Sequence, residues 1–212
     1  MSGVTGDPIE QAARAARRGD LIVMPTDTVY GIGTRPDEAS ATARLFEAKG
    51  RPSDLTLPVL VPSASAARGI AAFDERAEDL ALRFWAGPLT LVLPRTQASA
   101  GWALGGDAET IGVRMPHHPL ALAILARTGP LAVTSANRSG EPTPATCGGV
   151  EQVFGERVAV YLCESEALEG AASTVVDLAH GEARLLREGS VAEADVLDTL
   201  AGRSGRPPMG PR

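Results

Sequence analysis

Lysine and asparagine are almost absent from this chain of 212 residues. Lys49 is the single lysine among 20 basic residues, and Asn137 is the single asparagine. In a chain that uses arginine wherever arginine and lysine would serve equally well, a lysine is retained where a compact ammonium is needed. An asparagine is kept where one amide must both donate and accept hydrogen bonds. Lys49 and Asn137 are therefore candidate functional residues.

Cysteine and long apolar runs are also scarce. Cys147 and Cys163 are too few for a disulfide framework or a cysteine metal cluster, so we expect two free thiols in a reducing cytosol. No apolar run reaches the ~18 residues that a membrane span requires. The N-terminus has no basic stretch leading into an apolar segment, as a secretion signal would. These absences predict a cytoplasmic protein without a membrane span.

A basic surplus is missing as well, since the formal net charge is −6. Proteins that coat nucleic acid gain affinity by neutralising phosphates, which requires a broad basic surface. Any contact with RNA would have to use a local patch, for which the candidates are Arg14, Arg17, Arg18 and Arg35.

Several common catalytic motifs are not found. There is no G-x-x-x-x-G-K-[ST] loop for ATP phosphates and no G-x-S-x-G elbow for acyl hydrolysis. Gly31 and Gly33 begin a dinucleotide fingerprint, but Pro36 occupies the position of its third glycine. His117 and His118 are adjacent, so a strand would direct them to opposite faces, and we predict no metal site.

Apolar periodicity and turn residues predict strands and helices that first alternate, after which strands dominate. Asp7, Pro8 and Glu10 form a helix start that Gly19 closes, and Gly50 ends a second helix over about 37–48. We predict an α/β fold: a twisted, mixed, open sheet with helices on its faces. Residues 1–203 are expected to form one domain and 204–212 a disordered tail. Further strands are predicted at 21–24, 57–61, 89–93, 110–115, 131–134, 158–162, 173–178 and 184–187, and helices at 74–84, 119–126, after Thr143, and 192–200.

Polar, small-residue segments follow several of these strands, where open α/β sheets bind their ligands. Lys49 and Arg51, two residues apart with glycine between them, can present two cations to one polyanion. These segments alone favour a nucleotide-handling pocket, although each also fits a turn, a strand exit or a helix end. They include PTDTVYG (25–31), KGRP (49–52) and SANRSG (135–140).

Those segments, with four others in the same order, closely resemble the YrdC-like family of threonylcarbamoyl-AMP synthases. The resemblance covers residues 8–200 and matches the short bacterial form. It implies a YrdC-like fold with a large concave pocket. The other four segments are WAGPLT (85–90), GVRMP (112–116), STVVD (173–177) and LREG (186–189).

The resemblance implies an enzyme that condenses L-threonine, bicarbonate and ATP into threonylcarbamoyl-AMP and pyrophosphate. A threonylcarbamoyl transferase complex would then modify adenosine 37 of tRNAs that read ANN codons, and a direct tRNA contact is a further expectation. The carbamate carboxylate attacks the α-phosphorus, so fixed cations must offset the repulsion between two anions. Mg²⁺ would bridge the phosphate oxygens.

Site residues also follow from the resemblance. Lys49 and Arg51 would be catalytic by neutralising the triphosphate, and Arg114 would hold the threonine carboxylate through a bidentate contact. The full implied ATP site is Lys49, Arg51, Thr110, Ser135, Asn137, Thr143 and Arg187, and the implied threonine site is Thr28, Arg114 and Ser173.

One departure from the family pattern lies near the threonine site, where Leu60 replaces a histidine of many relatives. Three alternatives remain beside the synthase. They are a paralogue without synthase activity, a duplex-RNA or tRNA-binding or ribosome-assembly module of the same fold, and a carbamoyl-transfer domain of hydrogenase maturation. Paralogues of the first kind tend to lack the Lys-x-Arg and Ser-x-Asn pairs that this chain carries. The third kind normally belongs to a longer chain with zinc-binding segments.

Overall fold

Seven α-helices and nine β-strands are present in residues 6–202, the part of the chain that the computed structural model describes. The helices are α1 (Pro8–Arg17), α2 (Ala39–Lys49), α3 (Ala64–Ile70), α4 (Glu75–Phe84), α5 (Pro119–Thr128), α6 (Cys147–Phe154) and α7 (Glu193–Ala201). The strands are β1 (Ile22–Met24), β2 (Gly31–Thr34), β3 (Val59–Leu60), β4 (Leu89–Pro94), β5 (Thr110–Arg114), β6 (Leu131–Ser135), β7 (Val160–Tyr161), β8 (Thr174–Asp177) and β9 (Arg184–Arg187).

The local signals at the ends of α1 and α2 act as predicted. The Asp7 carboxylate accepts a hydrogen bond from the backbone N–H of Ile9 at 3.0 Å and so caps the start of α1. Gly50 has a φ of 59°, the left-handed conformation that ends a helix, and it makes Lys49 the last residue of α2. The last turn of α2 thus delivers Lys49 and Arg51 to one end of the sheet.

Three elements of the structure differ from the prediction. Gly31–Thr34 is a strand that was not predicted, because two glycines give little strand signal. The helix α3 was not predicted. The helix after Thr143 begins instead at Cys147, since the Thr146 hydroxyl accepts a hydrogen bond from the N–H of Gly149 at 3.2 Å.

The nine strands of the described residues form one mixed sheet in the order β7-β1-β2-β6-β3-β5-β4-β8-β9. Parallel pairing joins β7 to β1, β3 to β5, and β4 to β8, whereas the remaining neighbours are antiparallel. This arrangement confirms the predicted mixed α/β sheet.

Alternation along the strands separates two buried faces. Val23 and Leu91 belong to the larger core with α2, α4, α6 and α7, whereas Ile22 faces the smaller core with α1 and α5. Further along the second face, Thr90 and Val92 of β4 line a cavity instead of a core. The cavity therefore occupies the part of this face that lies beside the α1–α5 layer.

The expectation of two free thiols is wrong, because Cys147 and Cys163 are joined by a disulfide. The start of α6 lies beside the end of β7, which brings the two Cα atoms within 5.4 Å, a separation at which a disulfide can close. The 16-residue spacing gave no sign of this proximity.

The structure tests two further expectations only in part. In the described residues, no helix has both the length and the apolar character needed to cross a bilayer. The tail predicted at 204–212 lies outside the described residues, so its predicted disorder and the outer limits of the domain stay predictions.

Candidate active site

A cavity of about 420 Å³ lies on the open part of the sheet, within the size range of small-molecule sites. Strands β3, β5, β4 and β8 contribute residues to its floor, and the segment that follows β1 and the last residues of β6 form its side. Seven of the ten predicted site residues line it: Thr28, Arg51, Thr110, Arg114, Ser135, Ser173 and Arg187.

Strand geometry explains how these side chains meet. Residues two apart on a strand face the same side, so Thr110, Gly112 and Arg114 of β5 all reach the cavity. Ser135 ends β6, and Ser173 directly precedes β8. Side chains that are far apart in the sequence therefore converge at one place, as the position of the motifs at strand ends predicted.

Two guanidinium groups mark one region of the cavity wall. Arg51 donates to the carbonyl of Thr56 at 3.0 Å, and Arg187 donates to the carbonyl of Ser173 at 2.8 Å. Burial lowers the pKa of both groups, and the proximity of Arg187 lowers the pKa of Arg51 further. Both remain cationic at any physiological pH, so this region presents a fixed positive charge.

Arg114 forms the most buried ion pair of the site. Its guanidinium contacts Asp27 at 2.6 Å and donates to the hydroxyl of Thr28 at 3.1 Å and the carbonyl of Gly87 at 3.1 Å. Burial lowers the pKa of Arg114, while Asp27 opposes that shift. The second Asp27 oxygen is buried and has no hydrogen-bond partner among the described residues. Asp27 thus fixes the direction in which Arg114 faces the cavity.

Lys49 lies behind the cavity wall rather than on it. Its ammonium donates to the carbonyls of Ser135 and Asn137 and to the Asn137 side-chain oxygen, the last two at 2.7 and 3.3 Å. Burial, followed by the charge of Arg51, lowers the pKa of Lys49 to about 8. In this structure the ammonium therefore holds the segment that presents Ser135, and its predicted contact with ATP phosphates stays a prediction.

Asn137 and Thr143 lie in the same layer as Lys49. The Asn137 amide donates to the carbonyls of Arg138 and Glu141, and its oxygen accepts from the Thr143 hydroxyl at 3.4 Å. The two residues that composition marked as exceptional are thus bonded to each other. They shape the 135–143 segment, and their predicted roles in binding ATP stay predictions.

The cavity wall also contains a pair of residues that were not predicted. His180 bonds to Asp177 at 2.9 Å through one ring nitrogen and to Asp107 at 3.3 Å through the other. The hydrogen bond to Asp177 raises the pKa of His180. Asp177 could have been predicted, because it is the last residue of the STVVD segment. His180 lies in a turn without a motif, so no sequence signal indicated it.

The donor set fits a Mg²⁺ ion only if the ion takes most of its ligands from a bound substrate. Asp177 is the one acidic residue of the cavity wall among the described residues, and both of its oxygens already accept hydrogen bonds. Mg²⁺ commonly keeps several waters and binds through one or two carboxylates and phosphate oxygens. Asp177 is the residue that would supply the carboxylate.

A family model described as "Telomere recombination", with the short name Sua5_yciO_yrdC, matches residues 14–189. This chain belongs to the Sua5/YciO/YrdC family. The family membership confirms the resemblance inferred from the seven motifs, all of which lie within the matched residues.

Two relatives and one solved structure of the family are informative. A Mycobacterium tuberculosis protein is 41% identical over 193 residues, covering 91% of this chain and 88% of its own length. The Bacillus subtilis threonylcarbamoyl-AMP synthase is 37% identical over 195 residues, covering 91% of this chain and 56% of its own length. The crystal structure of Pyrococcus abyssi Sua5 complexed with L-threonine is 36% identical with a TM-score of 0.82, covering 91% of this chain.

The family contains chains of different length. This chain spans 57% of the Pyrococcus abyssi structure, a little over half. The residues that the family model matches, 14–189, include the nine strands, the cavity and all ten predicted site residues, which lie between positions 28 and 187.

Proposed function

We propose that this chain is an L-threonylcarbamoyladenylate synthase, a nucleotidyltransferase that condenses L-threonine, bicarbonate and ATP into threonylcarbamoyl-AMP and pyrophosphate. The observation that carries the proposal is the convergence of Arg51, Arg187 and Arg114 on one cavity. The charge of Arg187 lowers the pKa of both other arginines, so the three cations lie close enough to interact. Such a group of cations suits two anionic substrates that must approach each other.

The cavity offers different chemistry around each of these cations. Arg114 and the hydroxyls of Thr28 and Ser173 suit the carboxylate and hydroxyl of threonine. Arg51, Thr110, Ser135 and Arg187 would bind the nucleotide, and Lys49 would support the Ser135 segment from behind. When the carbamate carboxylate attacks the α-phosphorus, the fixed cations offset the repulsion and stabilise the charge that develops. Mg²⁺ bound with ATP would neutralise phosphate oxygens, with Asp177 as its protein carboxylate.

We further propose the cytoplasm as the site of action, because tRNA is the final acceptor of the group. The adenylate would pass to a threonylcarbamoyl transferase complex that modifies adenosine 37 of tRNAs reading ANN codons. The Pyrococcus abyssi and Bacillus subtilis relatives are named threonylcarbamoyl-AMP synthases, and these names support only the synthesis of the adenylate. The transferase and tRNA partners follow from the resemblance in sequence.

Pyrophosphate release tests the proposal. The protein is incubated with ATP, Mg²⁺ and bicarbonate, with and without L-threonine, and we expect release that requires threonine. The Arg114→Lys variant loses the bidentate grip on the threonine carboxylate and should raise the KM for threonine by about tenfold or more, a loss of about 1.4 kcal/mol or more. Arg83→Lys is the matched control, since Arg83 is half-exposed and makes one weak 3.9 Å ion pair with Asp195. Release that does not depend on threonine, or no release, would refute the synthase proposal.

The alternative of an RNA-binding module finds less support. All four arginines of the candidate patch are paired with carboxylates at 3.1 Å or less, so little free charge remains for phosphates. The pairs are Arg14 and Arg17 with Glu10, Arg18 with Asp20, and Arg35 with Asp37.

A further inference from the structure

A disulfide joins two chain segments that lead to the cavity wall. Cys147 begins α6 and ends the segment that starts at Ser135 and Asn137. Cys163 begins a stretch that runs without helix or strand to Ser173 on the cavity wall. The bond therefore fixes the distance between these two functional segments.

The stretch 163–173, called the threonine-side segment below, packs directly on cavity residues. The N–H of Glu164 donates to the hydroxyl of Tyr30 at 3.0 Å, and the N–H of Leu168 donates to the carbonyl of Ala145 at 2.8 Å. Gly170 lies so close to Thr28 that a Cβ there would be 2.1 Å from the Thr28 carbonyl oxygen. A displacement of the segment thus reaches Thr28 and Ser173, two of the three residues assigned to threonine.

The two sulfur atoms differ in environment. Cys163 is exposed, whereas Cys147 is buried at the first residue of α6. An attacking thiolate can therefore reach the Cys163 sulfur and expel the Cys147 sulfur as the leaving group.

We propose that Cys147 and Cys163 form a reversible thiol–disulfide site that controls the binding of threonine, an inference that rests on the proposed synthase function. A dithiol reductant attacks the Cys163 sulfur, breaks the S–S bond and forms a mixed disulfide while Cys147 leaves as a thiolate. The second thiol of the reductant then displaces the Cys163 thiolate. Two electrons pass from the dithiol, which becomes a disulfide, and its two protons end on Cys147 and Cys163. A low-molecular-weight disulfide reverses the exchange.

Reduction removes the covalent tie and leaves the threonine-side segment attached by its few hydrogen bonds and its packing on Thr28. We expect the KM for threonine to rise by about fivefold or more in the reduced protein, the size of a typical coupling between sites. The KM for ATP should change less than the KM for threonine, because Arg51 and Thr110 lie on other elements and Lys49 holds Ser135 and Asn137 by hydrogen bonds that do not depend on the disulfide.

The test compares protein oxidised with glutathione disulfide and protein reduced with dithiothreitol, and mass spectrometry after alkylation counts the free thiols in each. A Cys147→Ser/Cys163→Ser variant should match the reduced protein and ignore dithiothreitol. If it fails to fold, Cys163→Ser alone breaks the bond at the exposed position. Equal KM values for threonine in two states with verified thiol counts would overturn the proposal.

Hydrogen exchange of residues 163–173 without substrates gives a second readout. Faster exchange in the reduced protein is expected, and unchanged exchange would overturn the proposal. This measurement does not depend on catalysis. If neither state releases pyrophosphate, the synthase function fails while the exchange data still decide whether the disulfide controls this segment.

Discussion

Lys49 carries a buried positive charge that is balanced by dipoles rather than by a carboxylate. The ammonium has three oxygen acceptors from the 135–137 segment, and no described acidic group forms an ion pair with it. The backbone carbonyl of Lys49 in turn accepts from the N–H of Ser139 at 2.9 Å. One residue thereby joins the end of α2 to the segment after β6, with Arg51 two positions further on the cavity wall.

The burial of this ammonium predicts a pH dependence of stability. The folded pKa of about 8 lies below the usual 10.5, so between these values the unfolded chain binds more protons than the folded one. The free energy of unfolding contributed by Lys49 should therefore rise with pH across this window, by at most about 1.4 kcal/mol per pH unit, and stay constant below it.

Urea denaturation of the protein and of a Lys49→Met variant between pH 6.5 and 10.5 measures this contribution, because other titrating groups cancel in the difference. We expect the difference to be flat below about pH 7 and to shift in favour of the lysine protein above pH 8. A difference that is independent of pH would mean that the ammonium is not disfavoured by its surroundings.

The sequence predicts the importance of Lys49 and Asn137 but not their geometry. Rarity marks both residues, and the helix end at Gly50 places Lys49 beside Arg51. The direction of the lysine side chain depends on acceptors 86 and 88 residues away, which no local pattern reveals. The same holds for Asp27 and Arg114, whose contact spans 87 residues.

At the level of elements, two of the four residues of β2 are glycine because of its neighbour β6. A Cβ at Gly33 would lie 2.6 Å from both the Ala132 carbonyl oxygen and a Val133 methyl group. Since one of these atoms belongs to the backbone, a side-chain rotation cannot relieve the clash. Close packing, rather than a turn, therefore explains the glycines in a segment for which pattern alone predicted no strand.

Two glycine substitutions test this explanation. Gly33→Ala should destabilise the protein by about 2 kcal/mol or more through overpacking against β6. Gly69→Ala is the matched control, because Gly69 lies in α3 and a Cβ added there would meet nothing within 4 Å, and it should stabilise by up to about 1 kcal/mol. Thermal or urea unfolding measures both changes. If the two variants behaved alike, glycine content in β2 would not reflect packing.

The reach of sequence patterns also differs between elements. The Asp7 cap and the Gly50 stop act within a few residues, so α1 and the end of α2 were predicted. The order of the strands and the meeting of Cys147 with Cys163 arise from long-range pairing. The motifs at strand ends predicted one shared cavity, and the sheet brings seven of the ten residues to it.

Across the whole molecule, cations predominate over carboxylates on the cavity wall, whereas eight of the described arginines outside it form ion pairs with carboxylates. The net charge is −6, yet three arginines line the cavity with Asp177 as its one acidic residue. The arginines of α1, by contrast, share Glu10 as an ion-pair partner. Such a distribution favours small anions over an extended polyanion.

This distribution predicts weak binding of RNA, including the tRNA contact that the resemblance implies. Neutralising phosphates requires free cations. Breaking the ion pairs of Arg14, Arg17, Arg18 and Arg35 would cost part of the free energy gained by binding phosphates. In fluorescence anisotropy with a labelled RNA duplex at 0.15 M salt, we expect a Kd weaker than about 1 µM, in the range of non-specific binding. A variant with all four arginines changed to alanine should bind equally weakly. Nanomolar binding that this variant loses would instead favour the RNA-binding module, because only a patch with unpaired charge in solution could supply that affinity.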